Sequence, residues 1–208
     1  MDKKEIREQI KGLCLKNQAQ LAEKSRAICK KIISSPEFQN AQVIFAYMAL
    51  GDEVDLLEVI KTALKLGKKV AVPKIISKTD GIIKFFYLNK AQTFDEQTQS
   101  GVFGIAEPDA SSLEPAHLSA IPTLILVPGR AFTKEGDRLG RGKGYYDRFL
   151  GEHLGGGPFE SLRDHKFRLR DHENVTVAGV CFDFQIKKSL PVDDRDVKMD
   201  IVYTILQE

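Results

Sequence analysis

Residues 124–150 read LILVPGRAFTKEGDRLGRGKGYYDRFL. The first four residues are an apolar run that suits a buried strand of a parallel sheet, and the last three begin a helical pattern. Between them lies a segment rich in glycine and basic residues. A strand, a glycine-rich turn and a helix in this order form the nucleotide-binding corner of an α/β sheet. The stretch therefore predicts an α/β fold with a phosphate site beyond the end of a strand.

The glycine-rich segment has the composition of an anion site. Its glycines alternate with five cations, namely Arg130, Lys134, Arg138, Arg141 and Lys143. Glycine lacks a Cβ, so its backbone amide can approach a phosphate closely, and the following helix N-terminus adds a positive dipole end. Neither the Walker A loop nor the dinucleotide pattern G-x-G-x-x-G fits the spacing. The alternative, a solvated hairpin rich in glycine and arginine, does not account for the flanking strand and helix.

Composition and charge exclude several classes of protein. The chain has 208 residues, 29% of them charged, and a net charge of only +2, so the basic segment is a local feature rather than part of a nucleic-acid surface. Its longest apolar stretch, near residues 121–127, is too short to span a bilayer. The three cysteines lack metal-site spacing and suit a reducing compartment. We therefore expect a cytoplasmic enzyme without nucleic-acid or membrane partners.

Apolar patterns predict strands that alternate with helices. Helical spacing predicts two helices separated near Asn17, and a further helix over 56–66 that Asp55 and Glu58 would open as a capping box. Short apolar runs predict strands at 43–47, 69–73, 82–88, 121–127, 175–182 and 201–206. This order indicates a single α/β domain over residues 1–208, with a mostly parallel sheet and helices on both faces (three-layer α/β/α). The polar segment 154–174 is expected to be a flexible insertion.

Carboxylates follow several of the predicted strands, where an open α/β sheet binds its ligands. Glu53 stands after the first strand, either to grip a substrate or as a solvent-facing acid in a turn. Asp147 follows the glycine-rich segment, and residues 193–200 are dense in acids. These acids suit the Mg²⁺ that accompanies a nucleotide triphosphate, although the acidic run also fits an exposed turn.

Several motifs together resemble the 5-formyltetrahydrofolate cyclo-ligase family, also called methenyltetrahydrofolate synthetases. The strongest is RLGRGKGYYDRFL (138–150), preceded by VPGRAF (127–132). The supporting motifs are KKEIR (3–7), YMALGDEVD (47–55), GIAEP (104–108) and PVDDRDVKMD (191–200). The segment from about 154 to 174 is unlike the family in length and composition.

The resemblance implies the residues of an ATP site, a folate site and a metal site. The ATP site would comprise Lys3, Arg7, Arg138, Leu139, Gly140, Arg141, Gly142, Lys143, Gly144, Tyr145 and Tyr146. Arg141, Lys143 and Tyr145 would be catalytic, the first two at the transferred phosphoryl group. The folate would be bound by Met48, Glu53, Tyr145 and Tyr146, with Glu53 at the polar edges of the pterin. Asp147 and Asp196 would hold Mg²⁺, with Asp193 and Asp194 as alternatives to Asp196.

The implied activity is the ATP-dependent cyclisation of 5-formyltetrahydrofolate to 5,10-methenyltetrahydrofolate, through a phosphorylated formyl group, by a monomer. ATP would be the co-substrate and Mg²⁺ the metal. Two other functions stay open at this point. One is an ATP-dependent enzyme that acts on a different small-molecule acceptor, and the other is a non-catalytic nucleotide-binding protein.

Overall fold

The computed structural model describes residues 1–101, 104–154, 174–193 and 196–205, and its centre is a six-stranded sheet. The strands of this sheet are β1 (Val43–Phe45), β2 (Lys69–Ser77), β3 (Ile82–Tyr87), β6 (Thr123–Pro128), β9 (Val175–Val180) and β10 (Ile201–Tyr203). They lie in the order β10-β9-β6-β1-β2-β3. Strands β2 and β3 pair antiparallel, and the other neighbours pair parallel. The prediction of a mostly parallel sheet is confirmed.

Two small hairpins flank the sheet and were not predicted. Strand β4 (Thr98–Ser100) pairs with β5 (Ala106–Pro108), and β7 (Ala131–Phe132) pairs with β8 (Arg138–Leu139). Both are antiparallel. Strands of two or three residues carry too little apolar alternation to be recognised among polar and glycine-rich neighbours. The second hairpin lies within the glycine-rich segment and gives it a defined backbone.

The structure contains five α-helices in its described residues, and the first of them is capped at its N-terminus by side chains. They are α1 (Lys3–Lys16), α2 (Leu21–Ser34), α3 (Pro36–Asn40), α4 (Leu57–Lys65) and α5 (Tyr145–Leu154). At the start of α1 the Asp2 side chain accepts hydrogen bonds from the amides of Lys4 and Glu5, and the Asp2 amide donates to Glu5 Oε2, which completes a capping box. The amide of Asn17 donates to the Leu13 carbonyl and ends α1, which confirms the predicted break.

The predicted capping box at the start of α4 is wrong. The N-cap is Leu56 rather than Asp55, so Glu58 stands at the second helical position instead of the third and makes no reciprocal bond. Asp55 accepts a bond from the Leu57 amide through Oδ1, at 2.9 Å, and so still satisfies one of the free amides of the first turn.

Apolar side chains leave the sheet on both faces and are covered by different helices. On one face Ile44, Val70 and Leu124 join a core with α2 and α4. On the other face Phe45 and Ile125 pack with α5. The three-layer α/β/α arrangement is therefore confirmed. Helix α1 lies apart, where its buried residues pack against β7 and β8, so that the N-terminus of the chain is fixed against the glycine-rich segment.

Two predictions about organisation are not decided by these elements. The insertion predicted at 154–174 lies, apart from its two end residues, outside the described residues, and a single domain over 1–208 stays a prediction. In the part of the chain that the structure describes, no helix has the length and apolar character needed to cross a bilayer.

Candidate active site

The glycine-rich segment connects the carboxyl end of β6 to the first turn of α5. Gly142 and Gly144 adopt φ values of 99° and 69°, in the left-handed region that other residues enter only with strain. The carbonyl of Gly144 accepts from the Arg148 amide at 3.0 Å and so begins the hydrogen bonding of α5. The chain therefore makes its tight turn immediately before the helix, and the helix N-terminus faces the two cavities described next.

The first of these, here called the apolar cavity, has a volume of about 370 Å³. It lies beyond the carboxyl end of β1 and beside β2, which lines it with Pro73 and Ile75. Met48 and Glu53 line it from the segment that follows β1. Ile83 lines it from β3, and Tyr145 and Tyr146 line it from α5. Its position agrees with the rule that α/β sheets bind ligands at this edge.

The second, here called the polar cavity, has a volume of about 280 Å³ and lies between α1 and the glycine-rich segment. Lys3 and Arg7 line it from α1, and Asp196 lines it from the acidic run. Arg7 donates through Nε to the Gly140 carbonyl at 2.9 Å, and Lys3 Nζ lies 2.7 Å from Asp196 Oδ2. Positive and negative groups from three distant parts of the sequence therefore converge here.

The two cavities share one wall. It is formed by Gly140, Lys143, Gly144 and Asp147, which line both. Lys143 is exposed, and among the described residues no carboxylate lies within ion-pair distance of its ammonium group. A group bound in either cavity would therefore meet a lysine that forms no ion pair with any acid of the described residues.

Arg141, in contrast, is held by two acids. Its Nε donates to Glu53 Oε1 at 2.7 Å, and its Nη2 bonds to Asp52 Oδ1. Asp52 also bonds to Arg130, so four charged groups connect the segment after β1 to the glycine-rich segment. Burial alone would raise the pKa of Asp52, but the hydrogen bonds and charges of Arg141 and Arg130 outweigh it and hold that pKa below its ordinary value.

Glu53 is not a solvent-facing acid, so that alternative is wrong. Its side chain is only 7% exposed, and its second oxygen, Oε2, accepts from the Leu50 amide at 2.9 Å. Asp52 and Arg130 were not predicted as site residues. Asp52 stood beside Glu53 in the YMALGDEVD motif, and Arg130 was one of the five cations, but only the fold shows that they meet.

Asp147 of the shared wall, which is partly buried, forms an ion pair with the buried Arg138. Arg138 Nη2 lies 2.5 Å from Asp147 Oδ1, and Nη1 donates to the Pro128 carbonyl at 3.1 Å. Arg138 lines the apolar cavity, with its guanidinium 5.9 Å from the centre of the Tyr146 ring. Burial, with a smaller contribution from the Glu53 charge, raises the pKa of the Tyr146 phenol far above its ordinary value, so this hydroxyl stays protonated.

The acids proposed for a metal lie together at the polar cavity. Asp147, Asp193 and Asp196 all line it, whereas Asp194 lies outside the described residues. Asp193 and Asp196 both contact Lys3. In the described ranges no group of three or more histidines, cysteines or acids is arranged to hold a metal ion. Two carboxylates at a cavity that is also lined by cations and glycines nevertheless fit Mg²⁺, which normally takes one or two carboxylates and completes its shell with phosphate and water oxygens.

All the residues that the resemblance assigns to the ATP, folate and metal sites line one of the two cavities, except the alternative Asp194, which lies outside the described residues. Those at the polar cavity are Lys3, Arg7, Leu139, Gly140, Gly142, Lys143, Gly144, Asp147 and Asp196. Those at the apolar cavity are Met48, Glu53, Arg138, Gly140, Arg141, Lys143, Gly144, Tyr145, Tyr146 and Asp147. The fold brings the set together, while the role of each residue stays a prediction. Two of the five cations of the glycine-rich segment, Arg130 and Lys134, line neither cavity, so the expectation that all five serve the anion site is wrong for these two.

Comparison with known proteins agrees with this arrangement. The 5-formyltetrahydrofolate cyclo-ligase family model matches residues 1–205. The chain belongs to this family. A probable 5-formyltetrahydrofolate cyclo-ligase of Schizosaccharomyces pombe is 31% identical over 186 residues, which cover 86% of this chain and 83% of the relative. A probable 5-formyltetrahydrofolate cyclo-ligase of Caenorhabditis elegans is 30% identical, with 96% of this chain and 91% of the relative covered.

Solved structures of the family show the same fold. The 5,10-methenyltetrahydrofolate synthetase of Aquifex aeolicus superimposes with a TM-score of 0.70 at 27% identity and covers 98% of this chain and 90% of its own. A 5,10-methenyltetrahydrofolate synthetase from Mycoplasma pneumoniae gives a TM-score of 0.64 at 23% identity, with 98% of each chain covered. The resemblance read from the motifs is confirmed.

Proposed function

We propose that this chain catalyses the ATP-dependent conversion of 5-formyltetrahydrofolate to 5,10-methenyltetrahydrofolate, with release of ADP and phosphate. The observation that carries the proposal is the wall shared by the two cavities. A triphosphate in the polar cavity and a folate in the apolar cavity would meet at Lys143 and Gly144. Membership of the cyclo-ligase family supports the same chemistry.

Each substrate would meet groups suited to it. Lys3, Arg7 and the backbone amides of the glycine-rich segment supply positive charge and hydrogen-bond donors for the triphosphate. Met48, Tyr145 and Tyr146 supply apolar surface for the folate ring system. The formyl group of the folate would then lie at the shared wall, opposite the terminal phosphate.

The reaction needs one phosphoryl transfer and one ring closure. The formyl oxygen attacks the γ-phosphorus, the bond from that phosphorus to the β,γ-bridging oxygen breaks, and ADP leaves. The formyl carbon is now part of an iminium phosphate. Nitrogen N10 attacks this carbon and loses its proton, and the C–O bond then breaks to release phosphate. The positive charge stays delocalised over N5, the methenyl carbon and N10.

Positioning and charge stabilisation are the main contributions that a protein makes to phosphoryl transfer. Lys143, without an acid partner in the described part of the chain, is placed to stabilise the phosphoryl group in transit. Arg141 would join it through Nη1, the guanidinium nitrogen that bonds to neither Asp52 nor Glu53, and Tyr145 would orient the formyl group. Asp147 and Asp196 would hold Mg²⁺, which supplies positive charge to the phosphate oxygens when bound.

We propose that the enzyme acts as a cytoplasmic monomer without nucleic-acid or membrane partners.

One assay tests the proposed reaction. The protein is mixed with Mg-ATP and 5-formyltetrahydrofolate, and the absorbance of the conjugated methenyl product is followed, with reactions lacking ATP or protein as controls. We expect product to form with one ADP released per turnover. Hydrolysis of ATP that depends on another acceptor, without methenyl product, would contradict the substrate assignment. The absence of both product and hydrolysis would instead favour a non-catalytic nucleotide-binding protein.

A further inference from the structure

Glu107 lies in the GIAEP motif, on β5, and the proposed reaction leaves it without a role. Glu107 is only 4% exposed to solvent, and it lines the apolar cavity. Its Oε1 atom is buried and has no hydrogen-bond partner among the residues that the structure describes. None of the ion pairs formed by those residues includes Glu107 either.

An unpartnered buried carboxylate is costly. Burying a charge removes its hydration, and without a partner no hydrogen bond or ion pair offsets this desolvation cost. Buried acids are therefore normally paired or hydrogen-bonded. The other two acids at the apolar cavity follow this rule, since Glu53 is paired with Arg141 and Asp147 with Arg138. Glu107 departs from it at the same cavity, which indicates that its partner is a ligand.

The backbone around Glu107 holds its side chain in place. A Cβ added to Gly101 would lie 2.2 Å from Glu107 Cγ, so the side chain is packed directly over this glycine of the paired hairpin. Strand β5 is tied to β2 through Lys74, whose Nζ donates to the Pro108 carbonyl at 3.2 Å. The carboxylate is thereby presented to the cavity by a hairpin that is itself attached to the sheet.

We infer that Glu107 recognises the folate by accepting hydrogen bonds from the N–H groups of its pterin ring. This inference rests on the proposed function. The pterin carries a 2-amino group beside an N3–H group, and a carboxylate is well suited to accept from two such adjacent donors. Glu53 is less suited to this role, because Arg141 and the Leu50 amide already occupy its two oxygens. Glu107 thus determines specificity for the heterocycle, at a distance from the phosphoryl transfer.

Two variants at position 107 test the inference. Glu107→Leu removes both acceptors, and Glu107→Gln keeps one. We expect the dissociation constant for 5-formyltetrahydrofolate, measured by calorimetry, to rise about 10- to 100-fold in the leucine variant and by less in the glutamine variant. The KM for ATP should stay within about twofold, since no contact with the polar cavity changes. Glu114→Leu, at an exposed position outside both cavities, is the matched control.

A folate analogue that lacks the 2-amino group distinguishes a role of Glu107 in ligand recognition from a role in the stability of the fold. The wild-type protein should bind a 2-desamino analogue of 5-formyltetrahydrofolate about 10-fold or more weakly than the parent compound, whereas Glu107→Leu should bind the two nearly equally. Unliganded Glu107→Leu should melt no lower than the wild type, because an unpaired buried charge has been replaced by an apolar group. A merely structural role predicts the opposite shift in melting temperature.

Equal binding of the two ligands by the wild-type protein would overturn the inference, even if the leucine variant failed to fold. Unchanged folate affinity in a folded Glu107→Leu variant would overturn it as well. Both results are distinct from a failure of the proposed function, in which the wild-type protein would form no methenyl product.

Discussion

At the level of single residues, the charges of the site fall into those already paired and those still free. Arg141 is paired with two acids and Arg138 with Asp147. Lys143 is exposed at the shared wall, and no acid in the described ranges pairs with it. A phosphoryl group therefore encounters Lys143 without first having to displace a carboxylate, which makes this lysine the strongest candidate for stabilising the transferred group.

We expect Lys143→Ala to lower kcat by about 10² to 10³, the usual effect of losing one transition-state electrostatic donor. Steady-state turnover of 5-formyltetrahydrofolate at saturating ATP measures it. Lys134→Ala is the matched control, because Lys134 is an exposed cation of the same segment that lines neither cavity. Near-normal turnover by Lys143→Ala would contradict the role given to this side chain.

At the level of elements, α1 and the glycine-rich segment form the polar cavity together. Arg7 ties the helix to the segment through the Gly140 carbonyl. An ideal Cβ on Gly142 would lie 3.5 Å from the Arg7 guanidinium carbon, which is ordinary contact, so steric clash does not exclude a side chain there. The φ value of 99° nevertheless disfavours any residue other than glycine at this position, because an L residue in this conformation is strained.

Gly142→Ala should therefore move the backbone amides of the segment and raise the KM for ATP about 10-fold or more, with little loss of global stability. Initial rates as a function of ATP concentration, together with a melting curve, provide the measurement. Gly12→Ala in α1 is the control, since nothing lies within 4 Å of the added Cβ and alanine favours a helix. An unchanged KM in Gly142→Ala would show that the turn does not shape the ATP site.

At the level of the whole molecule, Asp52 connects two parts of the fold. Its carboxylate bonds to Arg130 and Arg141, which lie 78 and 89 residues further along the chain. The arginines hold the pKa of Asp52 below its ordinary value even though burial opposes this. A carboxyl whose pKa is lowered on folding stabilises the folded state above its unfolded pKa, and the stabilisation is lost as pH falls through the folded value.

Asp52→Asn should lower the free energy of unfolding at pH 7 by about 1 to 3 kcal/mol, as expected for the loss of charged hydrogen bonds. The difference from the wild type should be constant from pH 7 to about pH 5 and should shrink below about pH 4. Urea unfolding at pH 7, 5, 4 and 3 measures both effects, with the exposed Glu135→Gln as control. A difference that grows towards acid pH would contradict this account.

Local patterns in the sequence predicted most of the elements that position the site. Each strand of the central sheet coincides with a short apolar run, and the break between α1 and α2 falls at Asn17. These features depend on residues within a few positions of one another, so periodicity reveals them. The β4–β5 and β7–β8 hairpins escaped prediction because they are short and lie in polar or glycine-rich surroundings. The capping box at Asp55 failed because a shift of one residue moves Glu58 out of reach.

By itself the sequence determined the fold class, the family and the set of residues around which the site is built. Motifs and apolar runs consist of residues that follow one another in the chain, so they can be recognised without the structure. Only the tertiary structure decided which charges are paired, that the site has two cavities with one wall, and that Glu107 faces the apolar one without a partner in the described residues. The physical reason is that these contacts join residues far apart in the chain, such as Arg141 and Glu53, which are separated by 88 positions. Their pairing depends on the order of strands in the sheet, which local patterns do not encode.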